Sequence, residues 1–192
     1  MTLRVLCFSG SAKQTSLNQR LVAAAAQMIT ASGAQATLLN LRDHEMPLFN
    51  EDLEAEQGDA PGALSFRTAL EDHDVWLIAS PEYNGSITPL LKNAIDWASR
   101  QREGKPMLSA FRGKLCALLA ASPGGLGGLR GLVHVRAILE GVGVFVIPQQ
   151  LALPAAHTVL DAEGNWLDEG AETRVRNVVD ALLDTAGKLT AK

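Results

Sequence analysis

The strongest constraint in this chain is an alternation. Five short apolar runs, Leu3–Phe8, Ala36–Leu41, Val75–Ser80, Leu115–Ala121 and Val144–Ile147, are separated by longer segments whose apolar residues recur every three or four positions. A run that is apolar at nearly every position suits a strand covered on both faces, as in a parallel sheet. A three-to-four repeat draws one apolar stripe along a helix. Leu17–Ala31 shows it with Leu17, Leu21, Ala24, Ala25 and Met28, and Gly33 follows as a stop. Pro61–Glu71 predicts a second helix, with Leu64 and Leu70 turned inward. Thr88-Pro89 starts another, with Thr88 as N-cap and Pro89 where a missing N–H costs nothing. Leu90, Leu91, Ala94, Ile95, Trp97 and Ala98 form its apolar side, and further helices are predicted over Leu129–Glu140 and Ala171–Gly187.

Strands alternating with helices predict one α/β domain over residues 1–192, a three-layer sandwich around a five-stranded parallel sheet. Short right-handed connections leave few topologies, of which the order 2-1-3-4-5 suits this strand count. Arg42–Ala60 and Pro148–Glu169 read as long irregular stretches, a length at which loops are commonly functional. Trp76 is expected in the core; Trp97 and Phe111 read as core or as dimer surface.

The formal charge of −4 leaves no basic face for nucleic acid and no polybasic run for an anionic membrane. No apolar stretch approaches the ~20 residues of a membrane helix. The apolar start is too short for a signal peptide, so a cytoplasmic protein is expected. Cys7 and Cys116 sit inside strand-like runs and read as reduced core residues. His44, His73, His134 and His157 show no metal-ligand spacing, so no metal site is expected.

An open parallel sheet binds ligands beyond the carboxyl ends of its strands, where the winding direction switches. Here that point lies between strands one and three. After strand one, Ser9-Gly10-Ser11-Ala12-Lys13-Gln14-Thr15-Ser16-Leu17-Asn18 leads into a helix. Free N–H groups and the helix dipole make such a turn an anion site, or simply a capped helix start. It lacks the second glycine of a dinucleotide fingerprint and the Gly-Lys-Ser/Thr ending of a P-loop. After strand three, Pro81-Glu82-Tyr83-Asn84-Gly85-Ser86 combines a fixed φ with a turn pair that tolerates positive φ. That stiff loop would present N–H groups to a flat heteroaromatic ring, or serve only as a strand-to-helix turn. After strand four, Ser122-Pro123-Gly124-Gly125-Leu126-Gly127-Gly128 removes side chains where another molecule could approach.

Together these residues resemble the NADPH-dependent FMN reductase family, a flavodoxin-like group of quinone, chromate and azo reductases. The resemblance rests on Gly10-Ser11-Ala12-Lys13-Gln14-Thr15-Ser16-Leu17-Asn18, on Pro81 to Ser86 with Leu91-Lys92-Asn93-Ala94-Ile95-Asp96-Trp97, and on Ser122 to Gly125 with His134-Val135-Arg136. Met46 to Asp52 is similar to the family's loop after strand two. The resemblance implies non-covalent FMN, with Ser11, Lys13, Ser16, Leu17 and Asn18 at its phosphate. Pro81, Glu82, Tyr83, Asn84 and Gly85 would line the isoalloxazine, and Ser122 and Gly124 would close the far side. Lys13 stands where arginine is usual, so a point charge replaces a two-pronged contact. Glu51, Asp52 and Glu54 read as a solvated loop face, or as a cover for a neighbouring subunit's flavin. Val133 stands where some members place a tyrosine at a subunit contact; a homodimer is implied, with a homotetramer as the alternative.

The implied reaction takes a hydride from NADPH or NADH through FMN to a small acceptor such as a quinone, an azo compound, chromate or free flavin. The nicotinamide would stack on the ring with its hydride carbon roughly 3–3.5 Å from flavin N5. The acceptor would then take the same position, and no catalytic side chain is required. The alternatives are a flavodoxin-like electron carrier, which would show an acidic docking face, and a receiver-type regulatory domain, which would show clustered aspartates at strand ends. Neither feature is present.

Overall fold

Within each central strand, successive side chains enter opposite layers. In β1 (Arg4–Ser9), Val5 and Cys7 pack to one side of the sheet while Leu6 and Phe8 pack to the other, all four buried. β3 (Val75–Ala79) and β4 (Leu115–Ala121) do the same, with Leu77 and Ala117 opposite Trp76 and Leu118. This two-sided burial is why these runs show no polar alternation. The computed structural model describes residues 2–102 and 104–190.

The five strands pair in parallel in the order β2-β1-β3-β4-β5, with β2 at Gln35–Asn40 and β5 at Phe145–Leu153. α1 (Leu17–Ala31) and α6 (Glu169–Thr190) cover one face. α3 (Pro61–Glu71), α4 (Pro89–Ala98) and α5 (Leu129–Gly141) cover the other. Leu21, Val22, Ala25 and Ile29 of α1 meet Val175, Val179 and Leu182 of α6 across Val5 and Leu77. Phe66, Leu91, Ile95 and Leu132 close over Phe8, Trp76 and Ile78. Each large side chain withdrawn from water in this way stabilises the fold by about 1.5–3 kcal/mol.

Several expectations are corrected. α3 turns Ala63, Phe66, Arg67 and Leu70 inward, the three-and-four stripe set by a start at Pro61, and Leu64 falls off that stripe at 45% exposed. Residues 42–60 are not wholly irregular, because Asn50 caps a short helix, α2 (Glu51–Gln57), by accepting from the Asp52 N–H at 2.8 Å. The acids of α2 are not merely solvated: Glu54 accepts from Arg100 at 2.8 Å and from Arg102 at 3.4 Å. β5 runs to Leu153 rather than ending at Ile147. Its register jumps, pairing Cys116 with Val146 but Leu118 with Gln150, so the strand carries Pro148 through a bulge on the sheet edge where no N–H is needed. Trp97 and Phe111 are both core. So are Cys7 and Cys116, unpaired thiols that burial pushes up, Cys7 to about 12.

Candidate functional site

The segments leaving β1, β3 and β4 share the carboxyl edge of the sheet and are bolted to one another. The Gly10 N–H donates to Ala79 O at 3.0 Å, and the Thr88 hydroxyl donates to Gly10 O at 2.7 Å. Thr88 also caps α4 through the Leu91 N–H, so one residue ties the first loop to the helix that follows the second. Asn18, 4% exposed, spans from α1 to the end of β4: its Nδ2 donates to Ala121 O and its Oδ1 accepts from the Ala121 N–H, each at 2.8 Å. The Asn18 amide therefore fixes the shelf by holding β4.

In the first loop, Ser11 Oγ accepts from the Lys13 N–H and Ser16 Oγ caps α1 through the Gln19 N–H, both at 3.2 Å. Each hydroxyl keeps its own proton to donate. The N–H groups of Gln14, Thr15, Leu17 and Asn18 have no acceptor among the described residues. Lys13 is exposed beside them. Ser9 Oγ, fully buried at the base of the loop, has no partner either. Unsatisfied donors around a helix start with a loose cation fit a phosphate.

In the second loop, Tyr83 and Ser86 exchange backbone hydrogen bonds at 3.0 and 3.1 Å around Asn84 (φ 53°) and Gly85 (φ 83°). Positive φ at both central positions marks a type I′ turn, which Asn-Gly favours. The N–H groups of Asn84 and Gly85 have no partner among the described residues. Pro81 is buried beneath the turn, and Tyr83 stands half exposed at its edge. In the third loop, Ser122 and Leu153 hold the base through the Ser122 N–H at 3.2 Å, while Gly124 and Gly125 are exposed with free N–H groups. Side-chain-free backbone with unpaired donors on both sides fits the carbonyl and nitrogen edge of a flavin ring.

Glu82 has a partner that spacing alone did not reveal. Its carboxylate accepts from the backbone N–H groups of Arg130 and Gly131 at 3.0 and 3.1 Å and from Arg130 Nε at 2.7 Å. The N-cap position of α5 is Gly128, which offers no side-chain cap, so Glu82 caps the helix from another loop and meets the positive end of its dipole. Burial alone would raise the Glu82 carboxyl, but the Arg130 hydrogen bond, the Gly131 N–H and the Arg130 charge hold it below its ordinary value. Gly128 sits at φ 96°, and a Cβ there would lie 2.8 Å from the Ala120 Cβ, so only glycine fits. One turn along α5, His134 Nδ1 lies 2.8 Å from Ser86 Oγ, gripping the far side of the type I′ turn. Arg130 and His134, four apart in sequence, were the available signal; their partners lie across the sheet edge and carry none. Among the described residues no cluster of His, Cys, Asp or Glu could hold a metal ion.

A parallel sheet in this order, with a turn that fits a phosphate at its switch point and a shelf that fits a ring beside it, defines the flavodoxin-like fold class. The comparisons with known proteins narrow that class. The family model described as NADPH-dependent FMN reductase matches residues 3–158, and the chain belongs to that family. It is 31% identical to a probable NADPH:quinone oxidoreductase 2 of Oryza sativa over 99% of this chain and 92% of the relative. It is 34% identical to an NAD(P)H-dependent FMN reductase of Pseudomonas aeruginosa, covering 94% and 93%. Among solved structures it superposes on FerB, a flavoenzyme NAD(P)H:(acceptor) oxidoreductase from Paracoccus denitrificans, with a TM-score of 0.81 at 27% identity, covering 95% and 96%. The protein is an oxidoreductase that uses FMN with NAD(P)H as reductant.

Proposed function

We propose that residues 1–192 act as one FMN-binding unit that reduces small acceptors, quinones foremost, with NADPH or NADH. Bound FMN supplies the hydride transfer between nicotinamide and acceptor. The observation that carries the residue assignment is the set of unpaired N–H groups on three loops bolted together at one sheet edge. In this reading the N–H groups of Gln14, Thr15, Leu17 and Asn18, the hydroxyls of Ser11 and Ser16 and the charge of Lys13 hold the phosphate. The Asn84 and Gly85 N–H groups face the polar edge of the ring, where fixed donors stabilise negative charge that develops on it. Pro81 and Tyr83 flank the ring, and Ser122 and Gly124 close the far side. Glu82 and the Asn18 amide act at one remove, by holding the loops in place. Relatives named for quinones support a quinone as acceptor; azo compounds, chromate and free flavin fit the same open face. No helix among the described residues is long and apolar enough to cross a membrane, and a cytoplasmic location is part of this proposal. A homodimer is the assembly we expect, and sedimentation tests it.

The deciding experiment is visible absorption of the purified protein with added FMN, followed by anaerobic titration with each nicotinamide. We expect bound-flavin bands that NADPH or NADH bleaches, and reoxidation by a benzoquinone. Bleaching by dithionite alone would mark an electron carrier instead.

A further inference from the structure

A cavity opens beside the first loop, lined by the segments that follow β1 and β2 and by the start of α4. It measures about 570 Å³ and is lined by Ala12, Leu41, Arg42, His44, Glu45, Met46, Pro47 and Leu90. That size lies within the roughly 300–1,000 Å³ of small-molecule sites. Ala12 belongs to the phosphate-fitting loop, so the two sites share a wall.

The walls are held in place by specific bonds. Pro47 O accepts from Asn93 Nδ2 at 2.9 Å and from Trp97 Nε1 at 2.8 Å, and the Phe49 N–H donates to Asn93 Oδ1 at 2.8 Å. Asn93 is only 9% exposed, so a buried amide on α4 pins the outer wall. On the opposite side, His44 Nδ1 lies 2.7 Å from Ser65 Oγ, and its ring stands edge-on to Phe66. Asn40 accepts from the Arg42 N–H at 3.1 Å and so fixes the 3₁₀ turn Leu41–Asp43 that carries Arg42. The Arg42 guanidinium is exposed and has no acidic partner among the described residues.

We propose that this cavity seats the adenosine half of NADPH, with Arg42 on the 2′-phosphate. Ala12, Leu41, Met46, Pro47 and Leu90 supply apolar surface for adenine, and Glu45, the lone acid of the lining, accepts from a ribose hydroxyl. Arg42 supplies a planar fork suited to phosphate. The nicotinamide end then reaches the ring shelf across the first loop. The inference rests on the reading of that shelf as the flavin site and adds the preference for the phosphorylated nucleotide.

Calorimetric titration with adenosine 2′,5′-bisphosphate and, separately, with 5′-AMP tests it without turnover, on protein with and without FMN. The bisphosphate binds the wild type, Arg42→Ala loses about tenfold or more of that affinity, and Arg42→Lys retains part of it. In steady-state assays Arg42→Ala raises KM for NADPH by a similar factor, leaving KM for NADH, kcat and FMN retention unchanged. Equal affinity for the two nucleotides, or a bisphosphate affinity untouched in Arg42→Ala, overturns the proposal. Protein that takes no FMN yet binds the bisphosphate would fail the shelf reading alone, so the two failures are separable.

Discussion

Lys13 and Asn18 sit five residues apart and should fail in opposite ways. Lys13 is exposed and makes no side-chain bond among the described residues, so Lys13→Ala removes a phosphate charge and little else. We expect FMN affinity to fall by roughly tenfold with the urea midpoint unchanged; equal losses in both would refute the phosphate role. Asn18→Ala strips partners from both the N–H and the carbonyl of Ala121. Urea unfolding should show a loss of about 1–3 kcal/mol, with flavin affinity falling as the end of β4 is released. Glu82 adds a pH signature. Its carboxyl is held below the ordinary 4.5, so its contribution is complete above that value and is lost as pH falls through the lower folded value. Urea midpoints should therefore drop more steeply between pH 5 and pH 3 (an approximate window, about a unit either side) for the wild type than for Glu82→Gln.

At the scale of elements, α5 is a clamp. Arg130 and His134 lie on one side of it and hold Glu82, the residue before the turn, and Ser86, its last residue, around Asn84 and Gly85. His134→Ala should speed amide exchange at the turn while leaving the core strands protected; unchanged exchange there would show that the type I′ geometry alone keeps it rigid. The elements themselves were legible wherever burial acts through periodicity, as in α1, α4 and the three central strands. α2 was hidden because its acids, Glu51 and Glu54, answer to Arg100 across a gap in sequence rather than to an apolar stripe. The tail of β5 was hidden because Pro148 in an edge bulge imitates a strand end. At the site, the loops could be read from Asn84-Gly85 and the serine-rich turn, whose chemistry is local. The division of labour inside those loops could not, because Asn18 and Glu82 take partners 103 and 48 residues away.

The whole molecule separates binding from anchoring along the strand direction. At the end opposite the flavin shelf, Arg67, 4% exposed, donates to Glu71 at 3.0 Å and to Ser109 at 2.9 Å, and also bonds Arg100 O. Burial alone would raise Glu71, yet the Lys105 and Arg67 hydrogen bonds keep it low. This network ties α3 to the segment that feeds β4. Arg67→Ala removes the buried guanidinium and its three hydrogen bonds, and leaves Glu71 with Lys105 and Ser109. It should cost about 1–3 kcal/mol in urea unfolding. FMN affinity of the folded fraction should stay at the wild-type value, and a parallel loss would show that the two ends of the sheet are coupled.

The kinked outer rim has a consequence for life at high concentration. Because Pro148 carries no hydrogen and neighbouring residues slip out of step, a stray segment of another polypeptide finds no continuous row of donors there to zip onto. Growth of the sheet by recruitment of foreign chains is blocked along that margin, and the protein can accumulate without polymerising through it.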